Sequence, residues 1–154
     1  MGAPAVRLRP STRADLDWVL AAEGHPENAP YVTQWPRARH AEALDHPDQR
    51  HYVLERAADG APVGYVILAG LAGAPGGIEV RRIVVTQKRR GYGVQALRLI
   101  RRMAFDELKA GRLWLDVSPN NSGARRLYEK EGFVVEGTAP DGLIILAMER
   151  GEGA

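Results

Sequence analysis

The sequence contains no cysteine among its 154 residues. This absence excludes disulfide bonds, thiolate metal sites and a covalent intermediate on a cysteine side chain. No apolar run approaches the roughly 18 to 20 residues that a membrane span needs. The N-terminal stretch, MGAPAVRLRP, also lacks the apolar core of a secretory signal. We therefore expect a cytoplasmic protein with no membrane partner.

A large excess of charge of either sign is absent too, since the formal net charge is +2 at pH 7. A chain this close to neutrality is not coated in positive charge, so we expect no nucleic-acid partner. The hydrophobic fraction of 45% and the charged fraction of 26% are those of an ordinary globular protein. The length predicts a single domain over residues 1–150, followed by a flexible tail over residues 151–154.

Hydrophobic periodicity and turn residues predict seven strands and four helices. Their order is β-α-α-β-β-β-α-β-α-β-β, which indicates an α/β protein of the α+β kind, with helices packed on a mixed sheet. The longest helix is predicted from about Tyr92 to Ala110, because polar and apolar positions fall on separate sides. Another helix is predicted from Asn121 to Glu131, where Gly132 ends it.

Basic side chains crowd beside two glycines in the segment QKRRGYG, residues 87–93, between the predicted strand IEVRRIVV and the long helix. Backbone N–H groups at a helix start are unpaired, and the helix dipole places partial positive charge there. Glycines let a phosphate approach those amides, and Lys88, Arg89 and Arg90 add full charges. The segment is therefore a candidate diphosphate site. A solvated turn with a glycine at the helix start is the alternative.

The same segment supports another interpretation, because GYGVQA matches the dinucleotide-binding pattern G-x-G-x-x-A. Asp116 lies 20 residues beyond Ala96, where that fold places a ribose-binding carboxylate. In that fold, however, the first glycine follows its strand almost directly, whereas TQKRR separates Val85 from Gly91 here. We therefore interpret Asp116 as a strand-end or turn residue.

A second informative segment is NNSGARRLYEKEGF, near the C-terminus. Asn121, Ala124 and Tyr128 are three and four residues apart, so they share one helix face. Asn121 and Tyr128 are separated by about 10 Å along the axis, which allows both to hold one extended ligand. A tyrosine packed in the core with its hydroxyl at the surface is the alternative.

Together, KRRGYG and NNSGARRLYEKEGF resemble the two signatures of the GCN5-related N-acetyltransferases, Q/R-x-x-G-x-G/A and N-x-x-A-x-x-L-Y-e-k-x-G-F. The resemblance covers nearly the whole chain and is most specific from about residue 78 to residue 136. Within the family, the chain is similar to the branch that acetylates ribosomal-protein N-termini and polyamines. Lys88 departs from the usual arginine or glutamine at its position.

The resemblance implies acetyl-CoA as the cofactor and a splayed central pair of strands that admits its pantetheine arm. The first of these strands would pair with that arm, and the N–H of Ile83 would hold the thioester oxygen. The implied cofactor-binding residues are Ile83, Val84, Val85, Lys88, Arg89, Arg90, Gly91, Tyr92, Gly93, Val94, Asn121, Ala124 and Tyr128.

The resemblance also implies direct attack of an amine on the thioester in a ternary complex. Tyr128 is the candidate general acid for the departing thiolate, because a phenol pKa near 10 is not far from that of an alkyl thiol. Glu79 is the candidate general base, since it lies an even number of residues from Ile83 and is expected on the same face of the strand. A carboxylate paired with Arg81 is the alternative for Glu79.

The implied acceptor is a primary amine: a small-molecule amine, a polyamine or a protein N-terminus. Tyr31 and Trp35 are candidate acceptor-binding residues together with Glu79, although the two aromatic residues suit a separate hydrophobic cluster equally well. Glu23 and Glu27 are available to a polyamine. Surface roles are expected for the histidines, with His25 or His51 as alternatives at the border of the acceptor pocket; the four are His25, His40, His46 and His51.

Two other functions stay open at this point. One is a non-catalytic acyl-CoA sensor with the same fold, and the other is a dinucleotide-binding protein that uses GYGVQA. Retention of Tyr128 argues against the sensor, and the distance between strand and glycine argues against the dinucleotide site. Homodimers are common among similar proteins, but the sequence does not establish one.

Overall fold

The structure is a computed structural model that describes residues 5–73, 76–87 and 90–151. The predictions for Lys88, Arg89 and the tail residues 152–154 therefore lie outside the described residues. Seven strands form one mixed sheet, and four helices pack on it, which confirms the predicted fold class. In the described ranges, no helix has both the length and the apolar character needed to cross a bilayer.

The strands of the sheet follow the order β1-β2-β3-β4-β5-β7-β6. The strands are β1 (Val6–Pro10), β2 (Gln49–Arg56), β3 (Pro62–Ala69), β4 (Ile78–Val85), β5 (Arg112–Val117), β6 (Val134–Thr138) and β7 (Ile144–Glu149). The helices are α1 (Leu16–Gly24), α2 (Arg37–Asp45), α3 (Tyr92–Arg102) and α4 (Ser122–Lys130). Strands β4 and β5 are parallel because α3 connects the end of one to the start of the other.

Helix α3 begins directly after Gly91, whose φ of 77° lies in the left-handed region that favours glycine. The regular helix ends at Arg102 and does not continue to Ala110 as predicted. The next five residues, Met103–Glu107, form a π turn, in which the N–H of Leu108 donates to a carbonyl five residues earlier. This difference lies at the C-terminal end of the helix and leaves the glycine turn at its N-terminus unchanged.

Strands β4 and β5 separate soon after they begin. They pair only at Ile78 with Leu113 and at Glu79 with Trp114, although both strands continue well beyond these pairs. The gap between them is the predicted splay of the central strands. It leaves backbone groups on one side of β4 open to a ligand, in the way that an edge strand does.

A β-bulge at Arg81 decides which side chains of β4 share a face. The register against β3 shifts by one residue, so that Arg81 has no partner of its own. Val80 and Ile83 consequently pack in the same hydrophobic cluster, although they are three residues apart. The expectation that Glu79 shares a face with Ile83 is therefore wrong, because the extra residue reverses the alternation. Glu79 lies instead on the face of Arg82.

The two faces of the sheet are covered by different helices. Leu97 and Leu115 belong to a large cluster between the sheet and helices α3 and α4. Val19, Ala43 and Tyr65 belong to a smaller cluster between the sheet and helices α1 and α2. Burial of these apolar side chains holds the helices in place, and the gap between β4 and β5 lies between the two layers.

Candidate active site

A cleft of about 440 Å³ lies where β4 ends and α3 begins. Four segments that are far apart in the sequence line it together: the loop between α1 and α2, the end of β4, the start of α3 and helix α4 with its cap. The predicted cofactor-binding residues among its lining are Ile83, Val84, Val85, Gly91, Tyr92, Gly93, Val94, Asn121, Ala124 and Tyr128. Backbone amides at a helix start and mostly apolar walls elsewhere suit an extended ligand with one anionic end.

The glycine turn leaves the start of α3 accessible. A Cβ atom at Gly91 would meet no atom within 4 Å, but the φ of 77° would strain any other residue there. A Cβ atom at Gly93 would lie 3.4 Å from a methyl carbon of Leu127. The N–H of Gln95 donates to the Gly91 carbonyl at 3.1 Å, so the N–H groups before it have no intrahelical acceptor. Residues 91–94, which carry these free donors, line the cleft.

Helix α4 contributes Asn121, Ala124 and Tyr128 to the same cleft. Asn121 caps the helix, since its side-chain oxygen accepts from the N–H of Ala124 at 3.3 Å. Arg90 is exposed and lines a neighbouring depression together with Gln87 and other residues, outside the main cleft. The basic residue nearest the glycines is therefore placed to reach a charged group at the mouth of the cleft.

A smaller cavity of about 260 Å³ adjoins the cleft at the gap between β4 and β5. Its own lining is more polar and includes Arg82, Asp116 and Ser118. The residues shared by the two cavities are Tyr31, Val32, Ile83, Val84, Asn121 and Tyr128. Two ligands that enter from the two cavities would therefore meet beside Tyr128 and the end of β4.

Tyr128 is 9% exposed and packs edge-on against Phe133, with ring centroids 6.1 Å apart. Burial, together with the negative charge of Asp116, raises the pKa of the Tyr128 hydroxyl to about 12. The phenol therefore keeps its proton throughout the neutral pH range. Its place at the junction of both cavities allows it to donate a hydrogen bond or a proton between two bound ligands.

Asp116 was not among the residues expected at the site, yet it lines the smaller cavity. It is an exposed residue, and desolvation of its carboxyl at the cavity wall, with the charges of Glu79 and Asp141, raises the pKa of that carboxyl. The strand RLWLDV carried a usable signal. Leu113, Leu115 and Val117 pack in the large cluster, so the alternation of the strand puts Asp116 on the opposite face of β5, outside that cluster.

Glu79 is partly buried and is not part of the lining of either cavity. Its carboxylate pairs with Arg81 at 3.0 Å, which is the alternative that the sequence left open. Its charge nevertheless raises the pKa of Asp116. Glu79 and Asp116 are thus electrostatically coupled, with Asp116 the nearer of the two to the cavity.

The two aromatic residues predicted to bind the acceptor have different surroundings. Tyr31 is 50% exposed and lines both cavities. Trp35 is 7% exposed and belongs to the hydrophobic cluster under α1 and α2. The guanidinium groups of Arg39 and Arg82 lie over its ring, 3.9 Å and 4.6 Å from the ring centroid. Tyr31 can therefore contact a ligand directly, whereas Trp35 supports the loop from inside.

Two expectations about the N-terminal half are wrong. Glu23 is not available to a polyamine, because it is fully buried and already accepts several hydrogen bonds. His40 and His51 are not surface residues, since they are 0% and 4% exposed. Burial and the neighbouring His40 lower the pKa of His51 to about 4. These residues form a polar network inside the protein, and Glu27 alone of the two predicted carboxylates lines the cleft.

Comparison with known proteins agrees with this arrangement. The sequence profile of the family described as "Acetyltransferase (GNAT) domain" matches residues 5–134. An uncharacterized N-acetyltransferase of Mycobacterium bovis is 33% identical over 102 residues, which are 66% of this chain and 63% of that protein. The probable N-acetyltransferase YjcK of Bacillus subtilis is 31% identical over 116 residues, which are 71% of this chain and 63% of that protein. The match thus spans less than two thirds of either relative.

Solved structures share the fold along nearly the whole chain. The spermidine N-acetyltransferase of Vibrio cholerae, in complex with CoA and spermine, has a TM-score of 0.82 at 18% identity and covers 95% of this chain and 96% of its own. The aminoglycoside acetyltransferase AAC(6')-Ib, in complex with coenzyme A and kanamycin, has a TM-score of 0.80 at 23% identity. The match covers 94% of this chain and 95% of that protein. Sequence profile, fold and cleft agree, and the chain belongs to the GNAT acetyltransferase family.

Proposed function

We propose that this protein is an N-acetyltransferase that moves the acetyl group of acetyl-CoA to a primary amine by direct attack in a ternary complex. One observation carries the proposal: the cleft at the glycine turn of α3 meets a second, more polar cavity beside Tyr128. Such a pair of cavities lets a cofactor and an acceptor reach one reaction centre from two sides.

The cofactor is assigned to the larger cleft. The free N–H groups at Gly91, Tyr92 and Gly93 would bind the diphosphate, with further charge from Lys88, Arg89 and Arg90. The open edge of β4 at Ile83–Val85 would pair with the amides of the pantetheine arm, as an added strand does. Asn121 and Ala124, which line the cleft with Tyr128, would border that arm, and the thioester would then lie beside Tyr128. The N–H of Ile83 would stabilise the oxyanion.

The acceptor is assigned to the smaller cavity, with Tyr31 at its wall. The neutral amine attacks the thioester carbon, a C–N bond forms and the C–S bond breaks. Tyr128 supplies a proton to the departing thiolate. The attacking nitrogen loses a proton to a carboxylate, for which Asp116 has the nearer position. Glu79 lines neither cavity, so it would fill this role through a water molecule or through Asp116.

Several chemical classes of primary amine are candidate acceptors. The neighbours of known structure carry spermine and kanamycin in their complexes, both of which are polyamines in the chemical sense. The present cavity contributes one carboxylate to its lining, Asp116, and shares the aromatic ring of Tyr31 with the cleft. A single cationic amine fits this lining, and a second charge on the acceptor would extend toward the solvent.

The decisive experiment follows the release of free coenzyme A thiol from acetyl-CoA over a panel of amines. The panel contains spermidine, kanamycin, an aryl-alkyl monoamine and a peptide with a free N-terminus. We expect amine-dependent thiol release and a matching acetylated product by mass spectrometry. Tight binding of coenzyme A without turnover of any amine would favour the non-catalytic sensor. Binding of NADH in place of coenzyme A would contradict the assignment of the cleft.

A further inference from the structure

A buried polar network lies beneath the acceptor cavity and is not needed for any step described so far. Its centre is the carboxylate of Glu23, which is 0% exposed at the end of α1. It accepts hydrogen bonds from the backbone N–H of Trp35 at 3.1 Å, from His40 at 2.8 Å and from the Tyr65 hydroxyl at 2.5 Å. Arg82 adds an ion pair at 3.0 Å.

The network ties two buried histidines to the Glu23 carboxylate. An ionised carboxylate only accepts, so the Nε2–H of His40 donates to Glu23 at 2.8 Å. His40 Nδ1 and His51 Nε2 share a hydrogen bond at 3.1 Å, and His51 Nδ1 shares one with the Ser11 hydroxyl at 2.8 Å. The chain of bonds thereby joins β2 and α2 to the carboxylate at the end of α1.

Arg82 extends the network to the acceptor cavity. It leaves β4 directly after the bulge and lines that cavity. Its guanidinium donates to Glu23, to the Tyr65 hydroxyl at 3.2 Å and to the carbonyl of Thr33. One side chain therefore connects β4 to the loop between α1 and α2.

The loop between α1 and α2 is held at two further points. The side-chain amide of the buried Asn28 donates to the Ala22 carbonyl at 2.9 Å, and the N–H of Trp35 donates to Glu23. Between these anchors, Tyr31 and Val32 line both cavities. The network thus sets the distance between the two walls of the acceptor cavity, the loop on one side and the end of β4 on the other.

We propose that Glu23 is a positioning residue for the acceptor, acting through Arg82 and the Trp35 amide to hold the loop of residues 25–36 against β4. This inference rests on the proposed function, since it assigns the smaller cavity to the acceptor amine. Loss of the carboxylate would leave Arg82 buried without its counter-charge and the loop without its anchor. The loop would move, and the acceptor would be misplaced against the thioester by a small distance with a large effect on rate.

The test compares Glu23→Gln with a matched control, Glu55→Gln. Glu55 is a second buried carboxylate, 7% exposed, that binds Arg7 at 2.6 Å and Arg9 at 2.9 Å, away from both cavities. For Glu23→Gln we expect faster hydrogen–deuterium exchange in residues 25–36 and a KM for the acceptor raised about tenfold. The Kd for coenzyme A stays unchanged. Glu55→Gln is expected to lose stability while leaving all three measurements at their wild-type values.

Arg82→Lys serves as a second variant in case Glu23→Gln does not fold. The lysine keeps the positive charge, but it lacks the planar guanidinium group that binds Glu23 and Thr33 together. Arg82→Lys should therefore also show faster hydrogen–deuterium exchange in residues 25–36. Wild-type exchange in the loop of both variants, or an equal change in Glu55→Gln, would overturn the proposal. A wild-type protein that turns over no amine would refute the proposed function instead, and the exchange data would still decide whether Glu23 holds the loop.

Discussion

The cleft proposed for the cofactor and the cavity proposed for the acceptor share a wall at the end of β4 and at Tyr128, yet they are built in different ways. The cleft uses local features: a glycine turn, the free amides of a helix start and the exposed face of α4. The cavity is assembled from five segments, namely the loop between α1 and α2, β4, the end of β5, helix α4 with its cap and Leu143 before β7, and two of its walls are connected by the ion pair of Glu23 and Arg82. Under the proposed assignment, recognition of the cofactor depends on backbone geometry, whereas the acceptor site depends on long-range contacts between side chains.

The largest effect is expected at the residue that belongs to both sites. Tyr128→Phe removes the proton donor for the departing thiolate but keeps the ring against Phe133. We expect kcat to fall by about a thousandfold and the Kd for coenzyme A to change little. Steady-state kinetics and isothermal titration calorimetry measure the two quantities.

Tyr52→Phe is the matched control, since Tyr52 is also buried in the large cluster but does not line either cavity. It should keep its activity. Parallel losses of kcat and of affinity for coenzyme A in Tyr128→Phe would show that the phenol is a cofactor-binding group. Its contributions to cofactor binding and to catalysis could then not be told apart.

The polar network beneath the acceptor cavity should make stability depend on pH in a defined window. His51 has a folded-state pKa of about 4, below its ordinary value of 6.5, because of burial and the nearby His40. Between these values the unfolded chain binds the extra proton, so the free energy of unfolding rises with pH. The contribution is complete above pH 6.5 and is lost as the pH falls toward 4. Its size is about 3 kcal/mol.

Urea denaturation at a series of pH values measures this slope. His51→Asn should flatten it between pH 4 and pH 6.5. The carboxylates with lowered pKa values act at lower pH: Asp15, paired with Arg9, has a pKa of about 2, compared with an ordinary 3.8. If the free energy of unfolding of His51→Asn depends on pH as in the wild type, another group titrates in this window. The contrast between the cleft and the cavity with its buried network would then be weaker.

Asp116 tests the acceptor side directly. Asp116→Asn should lower kcat/KM for the acceptor by about thirtyfold, from the loss of about 2 kcal/mol of charge-assisted hydrogen bonding. In the wild type, kcat/KM should fall at low pH as the Asp116 carboxylate becomes protonated. This fall should be absent in Asp116→Asn. Glu79→Gln should move the fall to lower pH, because the charge of Glu79 raises the pKa of Asp116. If Glu79→Gln abolishes the fall and Asp116→Asn does not, Glu79 is the base.

The same division explains what the sequence could predict. Helix faces, the order of the elements along the chain and the glycine turn follow from local periodicity and turn residues, whereas the splayed pair and the expected cofactor-binding residues came from the family resemblance of two sequence motifs. The face of Glu79 was accessible from neither, because one bulged residue at Arg81 reverses the alternation without leaving a pattern in the sequence. The burial of Glu23 and His40 was also missed, since polar residues are placed inside only when distant partners satisfy them.

The smallest effect is expected at the cofactor cleft, where several amides share the binding of one ligand. Gly93→Ala keeps an allowed backbone and places a methyl group 3.4 Å from Leu127, so the helix should tolerate it. The added Cβ would still crowd an anion at the helix start, and the Kd for coenzyme A should rise roughly fivefold, equivalent to about one hydrogen bond. Gly111→Ala is the control, because an added Cβ there meets no atom within 4 Å. Equal affinities for coenzyme A in the two variants would mean that the diphosphate binds elsewhere. The cleft would then not owe its cofactor binding to backbone amides, as the contrast with the cavity requires.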